Sequence, residues 1–461
     1  SPGNGPGSGN LPGSVEVSDG TDTCTDSTLA YSAANTYDFS CSLTSTTSGS
    51  KTLTATYADP SPTDFDTSND TDSHTVDAAA TSTTIDSDSP DPSLAFQAYT
   101  VSGTVTVTSP GNGPGSGNLP GSVEVSDGTD SCTDTSVAYA SANTYAFSCS
   151  LTSTTDGSKT LTATYADPSP TDFATSSDTE AHEVQAVPSS TLYTGQTYDA
   201  DGGGTSTLSA SVTVGNEACF TGATVTFTLT SLTGTPVGPF SVLSPSGSGT
   251  TRTYSTTETI PAGLYEVDVL FAPPSGCGDS TADDAVLAVV SPGATAKGGG
   301  WYRLDKSGLG GSPRVNFGFS INRTTSRTGV TSYRGHLLWI NNGQWRIAGT
   351  ISSDGTPYAY GVLTCPTAVG SASDRKCASF RGTGVLQYWD SGTGTWQASS
   401  YGTVSFTVTV YDAGTVKVCK GKKCTVTSNP DWFGIQFDPV PSSVIRESSP
   451  VTLSGGSIQA S

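Results

Sequence analysis

Three histidines, ten cysteines and a scatter of crowded aspartates are the residues of this chain whose types and spacing could do chemistry. A nucleophilic triad needs a base, but His74 and His182 occupy matching places in a repeat. His336 sits in the apolar strand pattern RGHLLWI, where a histidine reads as structural. Carboxylates are plentiful, yet none lies in a distinctive motif for glycoside hydrolysis. The sequence therefore points away from an enzyme. No CxxC occurs, and the histidines do not accompany the cysteines at zinc-site spacing. The cysteines fall instead into local pairs: Cys24 with Cys41, Cys132 with Cys149, Cys219 with Cys277, Cys365 with Cys377, and Cys419 with Cys424. An even count paired in this way reads as disulfides formed in an oxidising, extracellular setting.

Calcium is the cofactor to weigh. Asp86, Asp88 and Asp91 in IDSDSPDPS, and Asp64, Asp66, Asp70 and Asp72 in a second loop, offer clustered hard oxygens for a weak Ca2+ site. Neither run has the EF-hand spacing, and the bland reading is a set of solvated acidic loops. No other cofactor is implied. Lys51 and Lys159 raise an isopeptide bond to Asn, but no Asn stands at a matching strand end in both copies, so a surface ion pair is expected. In QYWDSGTGTWQ, Trp389 and Trp396 flank a turn and form either a sugar-stacking platform or part of a core. NDT at Asn69 and NRT at Asn322 fit the glycan acceptor pattern.

The elements that must position these residues are strands. Alternating runs such as TVSGTVTVT, GSVEVSDG and SKTLTATYA are separated by Gly, Pro, Asp and Ser clusters, and no run approaches a membrane span. The twenty-two letters SPGNGPGSGNLPGSVEVSDGTD occur at Ser1 and again at Ser109, an offset of 108 residues that also maps Cys24 onto Cys132, Lys51 onto Lys159 and His74 onto His182. A period near 100 residues is the size of an immunoglobulin-type sandwich. The quoted run, lying between TVSGTVTVT and GSVEVSDG, reads as a long hairpin loop. A phosphate cradle is excluded because a strand follows and no Lys is near.

The runs TSTTIDSDSPDPS, SVEVSDGTDSCT and DGSKTLTATYADPS resemble tandem bacterial Ig-like domains of secreted and cell-surface proteins, a family that serves mostly as spacer. GATVTFTL with PAGLYEVDVLF resembles another variety of the same kind. GGGW, VNFGF, FRGTGV, FTVTVYDAG and DWFGIQFD resemble a β domain that often follows such arrays. The expected fold is all-β, tandem immunoglobulin-like β-sandwiches plus a C-terminal β-sandwich-like domain. Its expected parts are 1–79, an N-terminally incomplete Ig-like domain; 80–187, its full repeat; 188–297, a divergent Ig-like domain; and 298–461, a Trp-rich basic domain.

Charge divides the chain. Residues 1–190 carry 24 acids against two lysines, whereas residues 297–461 carry 16 basic residues against eight acids. Such polarity suits contact between unlike ends. The first copy lacks a counterpart of residues 80–108, which hold its first two strands. Either further repeats precede it or a neighbour's strand completes it. With no initiator Met and no leader pattern, the chain reads as a mature or trimmed part of a secreted protein. These observations imply a non-enzymatic extracellular or cell-surface structural protein that self-associates into a homopolymer, as a filament or appendage subunit, through β-strand and charge-complementary contacts. The alternative is an adhesin stalk whose C-terminal domain binds a glycan or another surface. Neither nucleic acid nor a membrane span is implied.

Overall fold

The computed structural model describes residues 5–59, 64–168, 172–200, 202, 204–303, 314–341, 344–352, 360–369, 372–420, 423–440 and 448–460. Strands dominate it, and among the described residues helical structure is limited to two short 3-10 turns, Glu217–Phe220 and Thr367–Val369. The fold is all-β, with Ig-like sandwiches in tandem. None of its described helices is long and apolar enough to cross a membrane. The chain divides into two compact units, Ser1–Ala186 and Val187–Ser461.

In the first unit the second repeat copy is a full sandwich. One sheet runs Ser131–Asp134, Ser122–Ser126, Gly157–Ala166, Ser176–Gln185 and Ser93–Leu94; the other runs Ala138–Ser141, Thr144–Thr152, Ala98–Val107 and Thr81–Ser89. Alternation explains the core. In Ala98–Val107 the alternate residues Tyr99, Val101, Val105 and Val107 turn inward beside Phe147 of the neighbouring strand, and meet Val123, Val125, Leu161, Ala163 and Tyr165 from the facing sheet. The Gly/Pro run from Ser109 is not the hairpin loop that its sequence suggests. It leaves Ala98–Val107 and enters Ser122–Ser126, which belong to opposite sheets, so it is a crossover at the end of the sandwich. Its backbone lies flat on Tyr145: a Cβ on Gly113 would stand 2.1 Å from the Tyr145 hydroxyl.

In the second unit, a three-stranded sheet (Ser189–Tyr193, Thr205–Val214, Thr251–Thr259) faces a five-stranded one (Tyr198–Asp199, Ser280–Val289, Gly263–Ala272, Thr224–Ser231, Pro236–Val242). Cys219 and Cys277 are bonded across 58 residues. Beyond them a ten-stranded antiparallel sheet begins at Ala296–Arg303 and rolls over on itself. Phe317 and Phe433, from strands near its opposite ends, stack at 3.9 Å. The Ile458 amide donates to Asp431 at 2.7 Å, which helps to close the roll.

This rolled sheet lies flush against the five-stranded one. Leu264, Val286, Ala288 and Val290 from one side share a buried cluster with Leu338 and Ile340 from the other. Glycine permits the approach: a Cβ on Gly299 would stand 2.3 Å from the Thr197 carbonyl, and one on Gly318 would stand 2.9 Å from Val286. The motifs GGGW and VNFGF are thus packing features of this interface.

Candidate functional site

The first repeat copy builds one sheet of its sandwich and little of the other. Thr23–Asp26, Ser14–Ser18, Gly49–Ala58 and Ser68–Val76 pair in the same register as their equivalents 108 residues on. Among the described residues, only the small hairpin Ala30–Ala33 with Thr36–Asp38 stands opposite them. Among the described residues nothing corresponds to the strands Thr81–Ser89 and Ala98–Val107 for this copy.

The consequences fall on identical residues. The hexapeptide FSCSLT is strand at Phe147 to Thr152, where Ala98–Val107 pairs with it, and irregular at Phe39 to Thr44. Phe147 is 2% exposed and Phe39 is 46% exposed. Val17, Leu53, Ala55 and Tyr57 are only partly covered, whereas Val125, Leu161, Ala163 and Tyr165 are fully buried. The result is an open apolar trough floored by Val15, Val17, Phe39, Leu53, Ala55 and Tyr57, with Ser68 to Asp72 along one rim. A face of this kind is a template for an added strand.

Of the aspartates proposed for calcium, Asp88 and Asp91 come together and Asp86 does not. A β-bulge explains the split. The ladder between Thr81–Ser89 and Ala98–Val107 slips between Ile85 and Ser87, leaving Asp86 as the extra, exposed residue and turning Asp88 toward the interior side, opposite Val101. Their partner is His182 on Ser176–Gln185, which the sequence reading did not place in a site. The His182 Nδ1 lies 2.6 Å from Asp88 Oδ2 and 3.4 Å from Asp91 Oδ1, its Nε2 lies 2.9 Å from Ser93 Oγ, and its ring stacks on Tyr99 with centroids 4.0 Å apart. The only hint in the sequence was the recurrence of histidine at 74 and 182. In the first copy His74 is exposed.

Ser93, His182 and Asp88 have the connectivity of a nucleophilic triad, but Ser93 is 1% exposed. A substrate carbonyl has no approach to that hydroxyl, so the group does not act by acyl transfer. Among the described residues, Asp64, Asp66, Asp70 and Asp72 form no group of three donors able to hold one ion. The VSDG aspartates are loop locks. Asp19 accepts from the amides of Thr21 at 2.9 Å and Asp22 at 2.7 Å and from the Ser45 hydroxyl. The Asp22 amide, then the Ser45 hydroxyl and the Thr21 amide, hold its carboxyl down to about 2. At Asp127 burial pushes the carboxyl up, but hydrogen bonds from Ser153, Asp130 and Thr129 outweigh it and leave it below the usual range.

The lysines behave as one pair of equivalents: Lys51 donates to Thr47 Oγ1 and Lys159 to Thr155 Oγ1. Disulfides join Cys24 to Cys41, Cys132 to Cys149, Cys219 to Cys277 and Cys365 to Cys377. Cys419 and Cys424 face each other across the hairpin Thr415–Lys420 with Lys423–Ser428, and Cys424 is disulfide-bonded. The side chain of Cys419 lies outside the described residues. Trp389 and Trp396 are cross-strand partners, edge to face at 5.4 Å. Trp389 is 40% exposed, while Trp396 packs on the shared Leu264–Ile340 cluster and donates from Nε1 to Glu266 at 3.1 Å. Glu266 also binds Arg346 at 2.9 Å. His336 lies on a strand, as expected, with its side chain exposed. Asn69 and Asn322 are exposed on strands.

No family model matches the chain. No curated protein matches it. Among solved structures, the chain is similar to the ICAM-5 D1-D4 ectodomain fragment, with 8% identity over 83% of this chain and 82% of that one and a TM-score of 0.26. It is also similar to domains 4-9 of the surface layer protein SbsC, with 12% identity over 92% of this chain and 78% of that one and a TM-score of 0.14. At these scores neither likeness carries an argument about function.

Proposed function

We propose that this chain is an extracellular structural protein, a subunit of a filament or surface appendage, that assembles by strand addition at the first repeat copy. The observation that carries the reading is the apolar trough over Val17, Leu53, Ala55 and Tyr57, whose equivalents are buried by Thr81–Ser89 and Ala98–Val107. The occupant it fits is an extended pair of strands with inward Val and Tyr at alternate positions, as in that segment. Each large side chain so covered contributes about 1.5–3 kcal/mol, and each backbone pairing satisfies an open donor or acceptor. The disulfides support an oxidising location, and the acidic 1–190 and basic 297–461 segments favour contact between different parts of neighbouring copies.

Sedimentation velocity and electron microscopy of the intact chain test this. The reading expects concentration-dependent assembly that weakens with salt and is lost in Leu53→Asp but kept in Asp64→Asn. Monomers at every concentration and salt, or assembly indifferent to Leu53→Asp, contradict it.

A second reading, an adhesin whose C-terminal domain binds a glycan, draws on the open ring of Trp389. It predicts sugar binding that Trp389→Ala abolishes while the fold is kept; no binding by the parent chain removes it.

A further inference from the structure

We infer that Asp88, Asp91 and His182 form a site for a divalent transition-metal ion, with Zn2+ the best match. The inference stands apart from strand addition, because the site lies wholly within the second repeat copy. Its starting point is a mixed donor set. One imidazole nitrogen and two carboxylate oxygens, each from a different residue, lie within 4.8 Å of one another. Around a tetrahedral Zn2+ with bonds of about 2.1 Å, neighbouring ligand atoms stand roughly 3.4 Å apart. The Asp91 oxygen is already 3.4 Å from Nδ1, and the Asp88 oxygen, at 2.6 Å, need withdraw by only about 0.8 Å.

The second observation is the histidine itself. Its side chain is wholly buried and held on three sides: by the Tyr99 ring, by Ser93 Oγ at Nε2, and by Asp88 at Nδ1. A metal-bound imidazole needs its far nitrogen to carry the proton and to donate it to an oriented acceptor. With the metal on Nδ1, the Nε2–H donates to Ser93 Oγ at 2.9 Å without moving the ring.

The donor chemistry selects the ion. Ca2+ takes six to eight oxygens and gains little from imidazole, whereas two carboxylates and one imidazole leave a fourth, water-filled position on Zn2+. The Asp91 side chain is 41% exposed, which opens that position to solvent. The ion would clamp the turn between Thr81–Ser89 and Ser93–Leu94 onto Ser176–Gln185, joining the two sheets at one end of the sandwich. Asp86, on the bulge, takes no part.

The test is titration of the intact, chelator-stripped chain with Zn2+ by calorimetry, and with Co2+ by its visible absorption, alongside the His182 imidazole nitrogen signals. One ion per chain, a shifted His182 Nδ1 resonance and tetrahedral Co2+ bands are expected. Asp91→Asn, which keeps an Oδ1 to accept from the Glu183 amide, should weaken binding by more than the roughly 10- to 100-fold that loss of a supporting hydrogen bond costs. Ser93→Ala should weaken it within that range, and His74→Gln should leave it unchanged. No binding by the parent chain overturns the inference. So does binding that survives Asp91→Asn, or that leaves the His182 resonances in place.

Discussion

The two repeat copies carry the same strand sequences 108 residues apart and differ in what covers them. In the second, FSCSLT is a strand with its phenylalanine buried; in the first, the same six residues are irregular with the phenylalanine open. The difference teaches that this segment is a strand because of its neighbour, Ala98–Val107, and not because of its own propensity. The features that survive in both copies belong to the one sheet that both build. The ladder of Ser14–Ser18 with Gly49–Ala58 keeps the register of its equivalent, and Asp19 holds its loop as Asp127 does.

The largest expected contrast lies in the core. Phe147→Ala should destabilise the second copy by about 3–5 kcal/mol, while Phe39→Ala in the unassembled chain should cost less than about 1 kcal/mol. Urea unfolding followed by residue-resolved NMR separates the two, and equal losses would break the comparison. Next in size is the disulfide. Removing Cys132–Cys149 as a pair should cost about 3 kcal/mol through the loop that it closes, with the unfolding of the second copy moved and that of the first untouched.

Acid should then treat the copies alike, because the loops are local. The carboxyls of Asp19 and Asp127 lie below their usual range in the folded chain. For Asp19 the contribution is therefore fully present above an unfolded value of about 4 and is lost as the pH falls toward 2, and for Asp127 it is lost in the same direction, as acid protonates its carboxyl. Thermal melts between pH 5 and pH 2 should lose stability in both copies, and Asp127→Asn should flatten that slope for the second copy alone. The smallest effect is expected at the lysines: Lys51→Met and Lys159→Met should each change stability by less than about 0.5 kcal/mol. A large loss at Lys159 alone would show that its hydrogen bond to Thr155 depends on the completed sandwich.

Much of this was legible in the sequence because it depends on short range. Period two gave the strands, Gly and Pro gave their ends, and the 108-residue offset exposed the missing counterpart of residues 80–108. What stayed hidden depends on partners distant in the chain. The run at Ser109 read as a hairpin loop because alternation cannot say which sheet a strand joins. Asp86 read as equal to Asp88 and Asp91 because a single bulge reverses which side chains face inward, and no letter marks it. His182 meets Asp88 through the packing of one sheet on the other, and Asp91 through the pairing of Ser93–Leu94 with its own strand, some ninety residues away. Trp396 reads as either core or platform in the sequence, because its hydrogen-bond partner Glu266 stands 130 residues away and the cluster it packs on is drawn from both sheets.

Amide hydrogen exchange on the intact chain, at a dilution where it is monomeric, tests the central claim most directly. The account predicts that Gly49–Ala58 exchanges about 100-fold faster than Gly157–Ala166, and that adding a peptide of residues 81–107 slows the first segment while leaving the second unchanged. Equal protection of the two segments without peptide, or a first segment indifferent to the peptide, would contradict it.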